Sequence, residues 1–599
     1  MLQMMKSKII PFAVGILGVI GLYQTLSISG GNGREAVGYS NSFFSVWIGI
    51  LSAVFYEKIW NKISHKKGKE LLTAGLFSVT LASALTVGKQ LETVENFDVT
   101  NLGIWGNIVI LTLYFIPFIE AAWDWLKIVW EKEREKVKIQ ETGGKDFLWY
   151  WLIIFVCWIP VFLAFYPGAF VYDACDEYIQ VATRTFTTHH PLAHVLLLGG
   201  FVCAGNAFFD SFNLGIALYT LCQMLFLSGV FSYTVIYIKK KVNCKGFLWA
   251  VVGFYGLFPV IPMYAVCSSK DTIFTGAFLI VVIKMLQLLE DTEEFFKKKG
   301  NVFVAVASAV VMMLFRNNGF YAYVVWGFVI FAGSIFMRKD KKSILRLMVL
   351  MGVSVMLFLG CSKALTFVTK AEKGGSQEIM TVPIQQMART YLYSPETYTE
   401  EEKELLFTII PEEEMHLYNP RLSDLLKRQF NSQRFRENKG DYLALWLKIG
   451  ARKPMIYLNA WFMTSYGYWY PDAVINVYGG NQVYTFAYED SSYFGFETEY
   501  PGVRESKFPW LEEQYRKMSL ELYQQKMPAV SMLFSPGFLF WVFLFCMGYF
   551  VQNKKWSKVL GGAGILLLWL TAVLGPTYLV RYVLILWFAL PVMAAETKE

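Results

Sequence analysis

The chain has 599 residues, 55% of them hydrophobic and 17% aromatic, with a mean hydropathy of +0.39 and a formal charge of +8. Length alone would suggest several soluble domains, but the charges avoid long segments and crowd into short ones, the pattern of a polytopic membrane protein. The lysines lie between apolar runs, where membrane orientation explains them, so no nucleic-acid partner is expected; eight cysteines without a CxxC pair indicate neither a zinc site nor a disulfide framework, and spacing gives no support for a Cys175–Cys267 bridge.

A helix needs roughly twenty residues to cross ~30 Å of hydrocarbon. The run from Ile9 has a basic flank, Lys6 and Lys8, but no small-residue cleavage site, so it reads as an anchor and not a removed signal. Expected spans at 9–28, 42–60, 71–88 and 104–126 make an N-terminal unit over 1–146. A second unit, 147–362, holds spans at 147–165, 214–238, 246–266, 272–290, 301–315, 319–337 and 344–362, with an outer loop at 166–213. Residues 363–533 carry charges throughout and form an expected small extracytoplasmic domain. Spans at 534–551, 558–574 and 578–595 complete the unit 534–599, for a total of about 14 transmembrane helices.

The apolar run Leu192 to Phe209 decides the topology. Were it a span, the Lys239-Lys240-Lys241 loop would fall outside and every later basic loop would invert. If it lies flat in the interface, the loops 57–70, 127–146, 239–245, 291–300, 338–346 and 552–558 all share one side. Together they hold 26 Lys and Arg, against single ones (Arg34, Lys89, Arg184, Lys270, Arg316, Arg581) in the opposite loops. Lys/Arg bias in short loops sets orientation, so the flat arrangement is expected, with both termini cytoplasmic in a cell membrane.

Within 363–533, Glu400 to Phe407 and Pro420 to Phe435 have helical patterns, and Tyr442 to Tyr466 is an amphipathic helix that could lie on the membrane. The tract Tyr466-Gly467-Tyr468-Trp469-Tyr470-Pro471-Asp472 is either an interfacial aromatic belt or a sugar-stacking surface.

On this topology acids, amides and cations meet at the outer face. Asp173, Asp176 and Glu177 lie in the first outer loop; His189 and His190, with Pro191, begin the flat helix; Lys270 and Asp271 follow Ser268-Ser269; Arg316, Asn317 and Asn318 make a tight turn; Arg581 and Tyr582 open the last span. Ionisable groups at a membrane surface are costly to desolvate, so such a set suggests function. Cations there can bind a lipid phosphate and stabilise its departure, and a carboxylate opposite can take a proton from an attacking hydroxyl. Asp173 is the expected base, with Asp271 as second catalytic acid and the others binding substrate. Each has a structural use as well: Asp173 as a helix N-cap, Asp176 and Glu177 as a solvated face, His189-His190-Pro191 as a helix-start turn, Lys270–Asp271 as a surface ion pair, Arg316 and Arg581 snorkelling to headgroups. No P-loop, GxGxxG or HExxH occurs, which argues against a nucleotide-driven machine or a zinc protease.

The acidic first loop (Tyr172-Asp173, Asp176-Glu177), His189-His190-Pro191 before an interfacial helix, and a second loop with Lys270-Asp271 resemble the GT-C superfamily of membrane glycosyltransferases. Tyr166-Pro167-Gly168, Arg316-Asn317-Asn318-Gly319 and Arg581-Tyr582 extend the likeness to a bacterial group of such proteins, over roughly 147–362 and 534–595. The resemblance implies an all-α GT-C-like bundle that moves a sugar from a polyprenyl-phosphate donor, beside membrane lipid, to an extracytoplasmic glycan, lipid or protein acceptor. It would pass the base role to Asp173 and the second-loop role to Asp271. Some members bind a divalent metal, Mg or Mn, through such acids and others need none, which leaves the cofactor open. A flippase for lipid-linked sugars, or a polysaccharide polymerase or ligase, is the rival expectation. A flippase predicts ionisable groups at mid-depth, for which Glu120 and Lys284 are the main candidates.

Overall fold

The computed structural model describes residues 2–26, 43–66, 68–134, 143–242, 244–375, 377–477, 493–527 and 530–598; Arg34, Lys67, Lys136 and Lys138 of the loop argument lie outside them. Among the described residues the chain is helical throughout, with three isolated bridges and no strand. The N-terminal part holds α1 (Leu2–Thr25), α2 (Phe43–Ile63), α3 (Leu72–Val94) and α4 (Leu102–Arg134). Then follow α5 (Gly144–Ala164), α6 (Ala174–Thr183), α7 (Leu192–Phe209), α8 (Phe212–Lys241), α9 (Lys245–Leu257), α10 (Val260–Val266), α11 (Lys270–Glu290), α12 (Thr292–Lys297), α13 (Lys299–Phe315), α14 (Asn317–Phe336) and α15 (Lys341–Thr369). Short helices α16 (Thr381–Tyr393), α17 (Glu400–Phe407), α18 (Asp424–Lys427), α19 (Ser432–Glu437), α20 (Lys439–Arg452), α21 (Pro454–Ser465), α22 (Pro509–Ser519), α23 (Tyr523–Lys526) and α24 (Val530–Leu533) precede α25 (Pro536–Gln552), α26 (Trp556–Ala572), α27 (Ile585–Phe588) and α28 (Leu590–Glu596).

Eight of the described helices are long and apolar enough to cross a bilayer, or nine if α9 and α10, bent by 46° at a short break, make one span. Large apolar side chains face outward, among them Leu148, Trp149, Leu152, Phe328, Ile335 and Met356. A chain in water does not expose such bands, so the bundle is that of a polytopic membrane protein.

The long helices run between two poles. At one, Asp146 of α5 pairs with Lys239 of α8 (2.9 Å), Lys241 pairs with Glu290 of α11 (3.0 Å), and Lys558 of α26 pairs with Glu596 of α28 (3.0 Å). Glu120 belongs near this pole too, held by Lys66 (2.6 Å) and Gln552 (3.2 Å), and Lys284 donates to Asn301 (2.9 Å); both charges are thus satisfied within the bundle. At the opposite pole α11 and α14 begin and α15 and α26 end. There Asn318 reaches Thr571 (3.0 Å).

Helix α7 starts and finishes at that second pole. The end of α5 and the start of α8 are both tied to one segment: Lys507 N–H donates to Leu163 O (2.8 Å), Glu505 N–H to Tyr166 O (2.9 Å), and Val503 N–H to Asn213 Oδ1 (2.9 Å). The chain therefore returns to the pole it left, and the 18 residues of α7 do not carry it across, although their length and composition would allow a span.

Elsewhere the sequence expectations need amendment. The expected span 578–595 is not a regular helix: a 3-10 turn at Val580–Val583 is followed by the short α27 and α28, the latter starting at Pro591, which cannot continue the hydrogen-bond ladder of α27. The helix expected over Tyr442 to Tyr466 breaks at Lys453–Pro454 into α20 and α21, and that over Pro420 to Phe435 gives only α18 and the start of α19. By contrast α17 has the expected bounds, with a capping box between Thr399 and Glu402. Residues from Met380 to Tyr457 gather around a small core of their own, whereas Met463 to Leu522 contribute to the core of the bundle.

The aromatic tract is neither belt nor stacking surface, since Tyr466, Tyr468 and Tyr470 are fully buried. The Tyr468 hydroxyl donates to Thr577 O (3.0 Å) and accepts from Leu579 N–H (2.9 Å), and Tyr578 donates to Tyr466 (3.0 Å). A buried hydroxyl must find partners, and an irregular backbone supplies them. Tyr468→Phe should strand both backbone groups and cost about 1–3 kcal/mol, seen as a lower Tm of the purified chain by intrinsic-fluorescence melting.

Candidate functional site

The site is built on three backbone runs. Ala169 N–H donates to Val266 O (3.0 Å) and Ser268 N–H to Ala169 O (2.9 Å), which lashes the first outer loop to the second. On the other side Glu499 N–H donates to Phe170 O (2.7 Å) and Thr498 Oγ1 to Gly168 O (2.9 Å). Gly168 has φ +143°, and a Cβ there would lie 2.4 Å from Thr220 Oγ1, so the close approach requires glycine.

This lacing sets Asp173 beside the start of α11. Asp173 holds the N-cap position of α6 but makes no capping bond. Its Oδ2 instead takes Lys270 Nζ at 2.7 Å and Arg581 at 3.3 Å. Ser269 caps α11, accepting from Asp271 N–H. Arg316 sits in extended backbone between α13 and α14, from which its guanidinium pairs with Asp271. Arg581, in the 3-10 turn propped by Tyr468, reaches Asp271 Oδ2 at 3.7 Å. Lys270 also lies 3.7 Å from Glu177 Oε1 and 3.0 Å from His190 Nδ1.

The result is a row of alternating charge: Arg316, Asp271, Arg581, Asp173, Lys270, Glu177. It continues through His194, whose Nδ1 meets Glu177, to Tyr219 (2.7 Å) and Gln223 (3.0 Å). Three cations balance three carboxylates. Asp271 and Glu177 are 1% exposed and Arg581 8%, while Asp173, at 30%, is the most exposed member. Aromatic faces back the guanidiniums: Tyr172 lies 4.2 Å from Arg581, and Tyr582 lies 4.5 Å from Arg316 and 5.0 Å from Arg581.

Electrostatics follow from this packing. Desolvation alone would raise the Asp173 carboxyl, but Lys270 and Arg581 outweigh it and hold it well below the usual carboxylate range. Glu177 is likewise held down, by His194 against burial. Burial and then the Lys270 ammonium push His190 down to about 4, so it is neutral at pH 7 and accepts from the ammonium. Glu499 goes the other way: burial, Asp176, Glu497 and Asp173 raise it to about 8, and its buried Oε1 has no hydrogen-bond partner among the described residues.

Of the residues singled out from the sequence, Asp173, Glu177, His190, Lys270, Asp271, Arg316, Arg581 and Tyr582 meet in this network. Asp176 and His189 are exposed beside it, His189 edge-on to His190 at 4.5 Å. Asn317 is exposed at the mouth of a small cavity that His190 also lines, and Asn318 serves the α14–α26 contact. Cys175 and Cys267 are free thiols. Sequence reasoning overlooked Glu499 and the Tyr219–Gln223 extension, and gave Tyr172 no role beyond its place in the first-loop motif; a lone glutamate in a polar segment gives no local signal of its burial.

Asp173, Glu177 and His190 offer three metal-ligand atoms within 4.8 Å of one another. Mg or Mn does not fit there, however, because the Lys270 ammonium already stands against all three of these residues.

Fold and site together define an all-helical polytopic membrane protein with a buried ion-pair network at one pole of its bundle. The chain belongs to a family of unknown function, DUF6020, whose model matches residues 178–598, a range that takes in Lys270, Asp271, Arg316 and Arg581 and begins just after Glu177. No curated protein and no solved structure matches the chain.

Cys175, raised to about 11 by burial first and then by Glu499 and Asp176, reports on this corner. Glu499→Gln should lower that thiol and speed its alkylation roughly two- to threefold at pH 9, measured by mass spectrometry of the Cys175 peptide; an unchanged rate would place Glu499 too far away to matter.

Proposed function

We propose that this protein is a GT-C-like glycosyltransferase that moves a sugar from a polyprenyl-phosphate donor to an extracytoplasmic acceptor such as a cell-wall polymer, glycolipid or protein. The observation that carries this reading is the charge row: three cations and a part-exposed carboxylate at one pole of an apolar bundle suit an anionic lipid headgroup and a hydroxyl nucleophile. The donor phosphate would compete with Asp173 for Lys270 and Arg581. Once the phosphate holds those cations, Asp173 loses its ion pairs and gains basicity. It then takes the acceptor proton as the acceptor oxygen bonds to the anomeric carbon. The sugar–phosphate bond breaks on the opposite side, its electron pair stays on the phosphate, and Lys270, Arg581 and Arg316 stabilise that charge. The stereochemistry is inverting.

A cavity of about 400 Å³ between α14 and α15, lined by Tyr323, Gly327, Phe331, Met351 and Val355, supports a lipid donor, since its apolar walls open beside the membrane-facing surface. The smaller cavity lined by His190, Asn317 and Phe358 lies one turn of α15 further toward the charge row. We place this pole outside the cell membrane, with about 14 spans, α7 in the outer interface, residues 363–533 extracytoplasmic and both termini cytoplasmic. The Lys-rich pole supports that orientation. A flippase would need charge at mid-depth, and the rival polymerase reading has no particular residue in its favour.

Asp173→Asn should cut transfer from radiolabelled polyprenyl-phosphate sugars by about 10²–10⁴-fold, with Arg581→Ala weakening donor binding; unchanged transfer in the Asn variant removes Asp173 from the base role. Because Asp173 of the free protein ionises far below neutrality, wild-type kcat/KM should stay level as pH falls from 8 to 5. A rate that instead falls as pH drops through about 8, where Glu499 takes up its proton, assigns the base to Glu499. For topology, Lys240→Cys should react with an impermeant maleimide only in permeabilised cells.

A further inference from the structure

We infer that the Lys270 ammonium is a built-in replacement for a divalent cation, and that it closes a site which would otherwise ligate one. Nζ stands 2.7 Å from Asp173 Oδ2, 3.0 Å from His190 Nδ1 and 3.7 Å from Glu177 Oε1. These are the three residues that each offer one ligand atom within 4.8 Å of the others, a spacing that suits a metal ion with nitrogen and oxygen ligands. An ammonium has three hydrogens and no acceptor, so it hydrogen-bonds Asp173 and His190 and pairs with Glu177, engaging all three residues that a metal would need. His190 shows the competition most plainly. Its Nδ1 must carry a lone pair to accept from Lys270, and a lone pair so engaged is not open to a metal.

The neighbourhood favours the ammonium. Arg581 lies against the same Asp173 oxygen, and a further double positive charge between Lys270 and Arg581 would be repelled by both. Lys270 is also fixed from behind: it is the first residue of α11, whose N-cap Ser269 is held in the run that bonds to Ala169. Moving the side chain out to admit a metal would leave an ammonium that is 14% exposed without its two carboxylates. The role that the ammonium then plays toward a donor phosphate rests on the transferase reading; its exclusion of metal rests on geometry alone.

The test uses the full chain in detergent, titrated with Mn²⁺ and followed by electron paramagnetic resonance. Wild type should show no Mn²⁺ site that Asp173→Asn abolishes. Lys270→Ala should gain one Mn²⁺ per chain, and Lys270→Ala with His190→Ala should lose it again. Lys270→Met, which keeps the volume of the stem, serves if the Ala variant does not remain monodisperse. An Asp173-dependent Mn²⁺ site in wild type overturns the inference, as does a folded Lys270 variant that gains no site. No sugar donor enters this measurement, so absence of transferase activity leaves its result standing. A wild-type transferase inactivated by chelator and restored by Mn²⁺ would refute the inference while sparing the transferase reading.

Discussion

Six charged side chains in alternating sign, drawn from four separated parts of the chain, share one low-dielectric pole of this bundle. Removing a charge from water costs several kcal/mol, and the loss is recovered only when each charge meets an opposite one in good geometry. The row from Arg316 to Glu177 satisfies that condition because no member has a like-signed nearest partner. Much of the surrounding structure can be understood as holding it in register. The three laced backbone runs fix Asp173 against α11, the break between α13 and α14 turns Arg316 inward, and buried tyrosines prop the irregular segment that bears Arg581.

Such a network is balanced at rest, and that balance has a chemical consequence. A neutral set of pairs binds an anion only by exchanging one of its own carboxylates for it. On the transferase reading Asp173 is the member placed for exchange, being the most exposed of the row. Asp271, almost fully buried and held by Arg316 and Ser269 as well, is better suited to keeping Arg581 in place than to leaving it. The two acids expected to act together thus have different environments and, on the transferase reading, different duties.

Residues near the row divide along the same line. His190 is buried and contributes a lone pair to the ammonium, while its neighbour His189 is exposed and contributes only a ring face. Glu499 approaches from a segment more than three hundred residues away. Anchored by its own backbone N–H, it keeps a carboxyl among acids where ionisation is unfavourable. An acid that titrates near neutrality beside one that stays ionised is an arrangement suited to proton traffic.

Hydropathy and Lys/Arg placement are local properties, so the sequence alone determined the membrane class, the position of most long helices and the common side of the basic loops. It also pointed to Asp173, Lys270, Asp271 and Arg581, since an ionisable residue beside an apolar run is conspicuous without any neighbour in view. Only the tertiary structure decided which charges pair, because Asp173 meets Arg581 across 408 positions of chain and no local pattern encodes that contact. For the same reason it alone showed that the aromatic tract is buried support, that the last apolar run is broken, and that a lysine stands where a metal was conceivable. Burial and pairing are set by what packs from elsewhere.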